Sequence, residues 1–244
     1  MRAKSRSIEQ MIEEQVRKWQ FSRTQRKTEL PFRPLVTISR EPGSGGNIIG
    51  ERLARRLDLD LFHQEVIHAM AKSAKVSARL LSTLDEKGLS VIEDWMAYLV
   101  DSRHMWPDQY IKHLMKVVGA LGRHGGAVLI GRGANFILPP ERRFSLRVIA
   151  PFEVRVANVV RTHQVSERDA RTHITKTDSQ RRAFIRKYFN TSVADPLNYD
   201  MVVNTGSTSI DGAVEAVAAY LGLRDAGKTK APTAQRSVPS SAAS

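Results

Sequence analysis

"VTISREPGSGGNIIGERLARRL", residues 36–57, reads as a strand, a glycine turn and a helix. The strand is the short, apolar, β-branched run LVTIS (35–39). After the glycines, Ile49, Leu53 and Leu57 fall on one side, with Glu51, Arg52, Arg55 and Arg56 mostly elsewhere, which is helical spacing. Glycines let successive backbone N–H groups turn inward around an anion. A helix that starts at once adds its N-terminal amides and its dipole. This is the layout of a phosphate-binding loop; a tight strand-to-helix turn with no ligand would read the same way. Measured against the Walker pattern, Glu41 stands at the first glycine position and Asn47 where the lysine belongs. Ile48 and Ile49 stand where the magnesium-binding hydroxyl belongs. The cradle of Gly43, Ser44, Gly45 and Gly46 with Asn47 is kept, while the lysine charge and the hydroxyl are gone. Arg40, just before the loop, is a candidate replacement for that charge, provided its side chain lies on the loop's side of the strand.

Working outward, AVLIG (127–131), LRVIA (146–150) and MVVNT (201–205) are further buried strands. Helical text separates them. Residues 64–122 form a helical insertion with expected breaks at Lys87-Gly88 and Trp106-Pro107. Pro151 opens a helix after LRVIA. Ser166, with an acid three residues on, resembles a capping box. The last helix begins near Ser209, carries Ile210, Val214, Val217 and Leu221 as its stripe, and is expected to end at Gly222. Alternating strands and helices imply an α/β domain: a P-loop NTPase-like parallel sheet with helices on both faces. Ligands in such sheets bind at the carboxyl ends of the strands, where the glycine loop lies.

Before the domain, residues 1–33 form a basic leader with a helix whose side carries Ile8, Met11, Ile12, Val16 and Trp19. LPFRP (30–34) is expected to break that helix. Its apolar stripe packs on its own domain or, alternatively, on a second subunit as a homodimer contact. Residues 224–244 are small, polar and proline-bearing and are expected to be a disordered tail. The domain proper is therefore 34–223.

The chain has 244 residues, 41% of them hydrophobic, enough for one domain of this size with a true core. No apolar run of membrane-spanning length occurs and no secretory signal follows the N-terminus. The absence of cysteine removes disulfides and thiolate sites and fits a cytoplasmic protein. The net charge of +13 is unevenly placed. Residues 1–33 carry nine Lys or Arg against four acids, 224–244 four against one, and 161–187 eight against three. The internal cluster suits arginines closing over a small polyanion. No helix-turn-helix text supports a nucleic-acid partner, and no His-Glu-x-x-His pattern supports a structural metal.

Five stretches in order, VTISREPGSGG, AVLIGRGANFIL, LRVIAP, DSQRRAFIRKYF and YDMVVNT, resemble the cytidylate kinase-like family over about residues 35–223. The resemblance implies a core sheet, the nucleotide-accepting insertion (64–122) and an arginine-bearing lid (161–190). It implies phosphoryl transfer from ATP, with Mg2+, to a nucleoside monophosphate such as CMP, so nucleotides are the implied partners. Carried over by position, Gly43, Ser44, Gly45 and Gly46 match the phosphate cradle, Arg132 of GRGAN matches the arginine on the acceptor phosphate, and Asp178, Arg181, Arg182 and Arg186 fall in the lid. Phosphoryl transfer needs positive charge on the equatorial oxygens more than it needs a base. Arg182 and Arg186 share one helix face and Asp178 is spaced to orient Arg182, whereas Arg181 points about a quarter turn away. Asp85 and Glu86 of TLDEKG cap a turn or touch a base or ribose. The alternative reading is a nucleotide-binding regulator that has lost transfer, as the missing lysine suggests.

Overall fold

The computed structural model describes residues 8–25, 34–102, 104 and 107–228. Strand β1 (Leu35–Arg40) lies at the centre of a five-stranded, wholly parallel sheet. Its partners are β2 (Asp60–Phe62), β3 (Ala127–Ile130), β4 (Phe144–Ile149) and β5 (Met201–Asn204), in the spatial order β2-β3-β1-β4-β5. Ile38 of β1 sits between Ile130 of β3 and Leu146 of β4. The three inner strands are mainly apolar because both faces are covered. Successive side chains alternate between the two covering layers. Leu35, Ala127 and Leu129 enter one core, and Val36, Ile38, Val128, Ile130 and Val148 the other.

The second of these cores is closed by α2 (Gly46–Arg56) and α10 (Ile210–Lys228), which bury Ile49, Leu53, Val214, Val217 and Leu221. The first is closed by α3 (Gln64–Lys72), α4 (Ala74–Leu81), α5 (Glu86–Ser102), α6 (Gln109–His124) and α7 (Ala134–Ile137). After β4 come α8 (Phe152–His163) and α9 (Glu167–Phe189), an antiparallel pair with a small core of its own made of Val156, Val159, Ala170 and Ile174. Ser166 caps α9 by accepting the Asp169 N–H at 3.1 Å. No helix among the described residues is long and apolar enough to cross a membrane.

Three boundaries differ from the sequence reading. The insertion breaks at Ser82–Asp85 rather than at Lys87-Gly88, because Asp85 accepts the Gly88 N–H (2.8 Å) and so opens α5. Strand β2, three residues long, is too short to show a period. Helix α10 runs through Gly222 to Lys228: a glycine there lowers helix propensity by about 1 kcal/mol but carries no stop signal of its own. The rest of the expected tail, 229–244, and most of the expected break at 30–34 lie outside the described residues.

The leader helix α1 (Ile8–Gln25) lies on its own domain. Ile12, Val16 and Trp19 are buried in the first core, and the Trp19 ring stacks on His124 at 4.1 Å between centroids. The side chains of Ile8 and Met11 lie outside the described residues. At the sheet edge, the Gln15 amide donates to Asp60 Oδ2 (2.9 Å) and the Lys18 ammonium meets Asp60 Oδ1 (2.6 Å). Trp19→Ala should therefore cost the domain about 3 kcal/mol, the usual range for emptying a buried aromatic site. Urea unfolding measures it; an unchanged midpoint would separate the leader from the core.

Candidate phosphate-binding site

The loop 41–47 leaves the carboxyl end of β1 and runs into α2. Gly43 and Gly45 have φ of +79° and +77°, where a side chain is strained. A Cβ on Gly43 would lie 2.5 Å from the Arg155 carbonyl oxygen, and one on Gly46 2.5 Å from Arg40 Cβ. The loop carbonyls are taken by protein donors: Asn158 Nδ2 donates to Gly43 O (2.9 Å) and Thr205 Oγ1 to Ser44 O (2.8 Å). The buried Ser44 hydroxyl donates back to Glu41 O (2.8 Å). Helix α2 starts with no side-chain cap and no acid in its first turn. Its leading amides are thus left for an anion.

Arg40 meets the condition set by the sequence. It is 7% exposed and reaches back over the loop, with Nε donating to Asn47 Oδ1 (3.0 Å) and Nη2 to Gln64 Oε1 (2.9 Å). A Cβ on Gly131 would come within 2.6 Å of Arg40 Nη1, so glycines on both sides make room for the guanidinium. Burial, and then the nearby Arg181 with Arg132 and Arg147, push Arg40 from the ordinary arginine range down to about 9, with Glu65 opposing them. Arg181 is shifted down as well, first by burial, against the pull of Asp178. Four guanidiniums crowded this way are a site short of negative charge.

Two cavities meet at this point. One, of about 400 Å³, is lined by the glycine loop from Arg40 to Ile48, together with α8 and the start of α10. The other, of about 320 Å³, is lined by Ser39, Gln64, the Gly131–Arg132–Gly133 turn, Arg147 and one face of α9. Arg40 and Arg181 line both. Arg181 is fixed by Nη1 donating to the Arg40 carbonyl (2.6 Å). Arg132 sits in the second cavity with φ of +55°, between two glycines of positive φ, and its Nε points at the Gln64 carbonyl (3.4 Å).

The lid residues divide by helix face. Asp178 does not orient Arg182: its carboxylate holds Arg155 at 2.7 Å. Arg182 and Arg186 are exposed and line neither cavity, and Arg182 donates to the Ser179 hydroxyl (3.3 Å). Glu41, noted in the sequence only as a lost glycine, accepts the Ala150 N–H (3.1 Å) and lies between Arg147 (3.6 Å) and Arg155 (3.5 Å). Arg147 and Arg155 were missed by sequence reasoning. A charged residue inside the apolar run LRVI was the available signal for Arg147; Arg155, on a helix with ordinary charge spacing, gave none.

The donor set does not fit a protein-held magnesium ion. Ile48, 45% exposed, occupies the hydroxyl position. Glu41 is the single carboxylate lining the two cavities among the described residues, and it is already engaged by two arginines and an amide. No group of three or more His, Cys, Asp or Glu suited to a metal occurs among the described residues.

A parallel sheet in this strand order, with a glycine loop after its central strand and an arginine-bearing helical pair over it, defines a P-loop fold of the kinase type. The chain belongs to the cytidylate kinase-like family, whose model matches residues 35–207. It is 25% identical over 184 residues to the cytidylate kinase of Ignicoccus hospitalis (strain KIN4/I), covering 75% of this chain and 96% of that one. It is 25% identical over 174 residues to the cytidylate kinase of Aeropyrum pernix, covering 71% and 91%. Among solved structures, an uncharacterized protein from Eubacterium ventriosum shares the fold, with a TM-score of 0.59 at 19% identity over 78% of this chain and 99% of that one.

Removing the Glu41 charge while keeping its shape isolates the ion pairs. Glu41→Gln should lower stability by about 3 kcal/mol, because it leaves Arg147 without its acidic partner and Arg155 with Asp178 alone. Chemical denaturation checks it; wild-type stability would mean the carboxylate acts only as a backbone acceptor for Ala150.

Proposed function

We propose that this protein transfers a phosphoryl group from ATP to a nucleoside monophosphate, with CMP the first acceptor to test. The observation that carries the reading is the meeting of two cavities at Arg40 and Arg181. The glycine-loop cavity takes the ATP phosphates on the amides of Gly43 to Asn47. The neighbouring cavity takes the acceptor, whose phosphate faces Arg132 and Arg147. The phosphoryl in transit then lies between Arg40 and Arg181. Arg40 replaces the absent lysine, and Asn47, standing at the lysine position, aims it by accepting from Nε. Guanidiniums placed where charge spreads over the equatorial oxygens are the main protein contribution such a reaction needs. Magnesium, when present, neutralises phosphate charge as part of the nucleotide, without a ligand from this loop. Asp178 acts by holding Arg155, and through it Glu41, under the lid.

The second reading, a nucleotide-binding regulator, is favoured by Asn47 and Ile48 at the lysine and hydroxyl positions. A coupled assay with ATP, magnesium and CMP, UMP, AMP or GMP separates the two: bound ATP without turnover of any acceptor establishes the regulator. In the kinase, Arg40→Ala and Arg181→Ala should each lower kcat by roughly a hundredfold to a thousandfold with smaller changes in KM, on the scale of arginine effects in phosphoryl transfer. Arg182→Ala and Arg186→Ala should stay near wild type. The reverse ranking would place the transferred group on the outer face of α9.

The affinity for ATP should also depend on pH through Arg40. In the empty site this group gives up its proton near pH 9. Beside phosphate it holds the proton to higher pH, so binding and protonation favour one another. Affinity is therefore full below about pH 9 and falls above it, by at most about tenfold per pH unit for one proton. Calorimetry between pH 7.5 and 10 should show that fall in the wild type and its absence in Arg40→Ala.

A further inference from the structure

Arg182 and Arg186, which the site leaves unused, belong to a longer pattern on α9. Arg168, Thr172, Thr175, Ser179, Arg182 and Arg186 are spaced four, three, four, three and four residues apart, and all are exposed. At 3.6 residues per turn they keep within an arc of about 80° along roughly 27 Å of helix. Such spacing ordinarily marks an apolar seam that packs against a neighbouring helix. Here only arginines and hydroxyl residues hold it, while Ala170, Ile174, Ile185 and Phe189 turn the apolar side of α9 into the fold. None of the three arginines has an acidic partner among the described residues; Arg182 donates to Ser179 Oγ (3.3 Å). Arg171, just beside the stripe, is instead held by Glu153 (2.5 Å) and Glu167 (2.8 Å).

We propose that this outer face of α9 binds the phosphate backbone of double-stranded nucleic acid, without regard to base sequence. The stripe lines neither cavity, so the proposal is independent of the kinase reading. Arginine and hydroxyl side chains are common donors to backbone phosphate oxygens, and such contacts carry no sequence information. A net charge of +13 on the chain draws a polyanion in from a distance. Other polyanionic partners fit the stripe less well. The buried centre of a protein–protein interface is apolar and poor in charge, unlike this face. A helix lying in a membrane surface sinks an apolar side into it, and that side of α9 is already buried in the domain. A single strand is held by stacking its bases on aromatic rings, and the stripe has none. A duplex presents its phosphates along a straight axis, as the stripe presents its arginines.

The test titrates the full chain into short labelled DNA and RNA duplexes of unrelated sequences, by fluorescence anisotropy in rising salt. The wild type should bind them alike, with Kd on the order of 10⁻⁵ M near physiological salt, the scale of sequence-independent binding. Three phosphate contacts should cost at least about fortyfold in affinity between roughly 50 and 200 mM salt. The variant R168Q/R182Q/R186Q should flatten the slope of log K against log salt by about 2.7, or about 0.9 for each contact removed. R168K/R182K/R186K should keep the slope, because the charge remains. Both variants should keep the wild-type melting temperature and ATP affinity, since only exposed side chains change. A wild type that binds no duplex at low salt overturns the proposal. So does a glutamine variant with wild-type affinity and slope, which would move the binding to the basic ends of the chain. Polyglutamate or anionic vesicles that compete as well as unlabelled duplex overturn it too, and point to an acidic protein or a membrane.

Discussion

The site is organised around one buried cation. Arg40 carries its guanidinium from the end of the central strand into the gap between the glycine loop and the turn after β3. Gly46 and Gly131 are bare because that side chain passes between them, Asn47 and Gln64 are placed to accept from it, and Arg181 is anchored on its carbonyl. Holding such a charge away from water, among three other arginines, is costly unless an anion answers it. The chain offers little: Glu65 is the acid that acts on Arg40, and Glu41 is occupied with Arg147 and Arg155. A phosphate held there would answer that charge.

Much of this was legible because the sheet and its loop are local in sequence. A β-branched run, glycines and an amphipathic helix follow one another within 22 residues, and burial on both faces makes every central strand apolar. The lid was legible as a charge cluster but not in its phase. Ala170, Ile174, Ile185 and Phe189 are the buried positions of α9, and Asp178 and Arg181 fall on that stripe, one turn apart along it. Arg182 and Arg186 lie about 100° further round and face solvent. Reading the arginines by their spacing to each other selected the outer pair; reading them by their phase to the apolar residues selects Arg181. Glu41 was hidden for a different reason. Its partners come from β4 and α8, more than 100 residues away, and only the folded sheet brings them together.

The helical pair over the glycine loop differs from the rest of the molecule in how it is joined. The α8–α9 pair has its own small apolar core, while its contacts with the loop are polar: Asn158 on Gly43, Arg155 on Glu41, Arg181 on Arg40. Apolar contacts would be indifferent to what fills the cavity beneath. These are not, because a phosphate in the loop would compete for the same donors. The far half of α9, through Ile185 and Phe189, is packed into the main core and keeps the pair in place.

The leader helix matters beyond the stability it adds. Strand β2 is an outer strand of the sheet, and an outer strand offers unpaired backbone to any neighbouring chain. Helix α1 meets that margin, with Gln15 and Lys18 on Asp60 and Trp19 beside Phe62. It lies wholly ahead of the region that the family model matches. A version that starts at residue 34 would keep the glycine loop, its arginines and α10, and lose the cover over that flank. The candidate site and the guard on the sheet margin are thus carried by different lengths of the same chain.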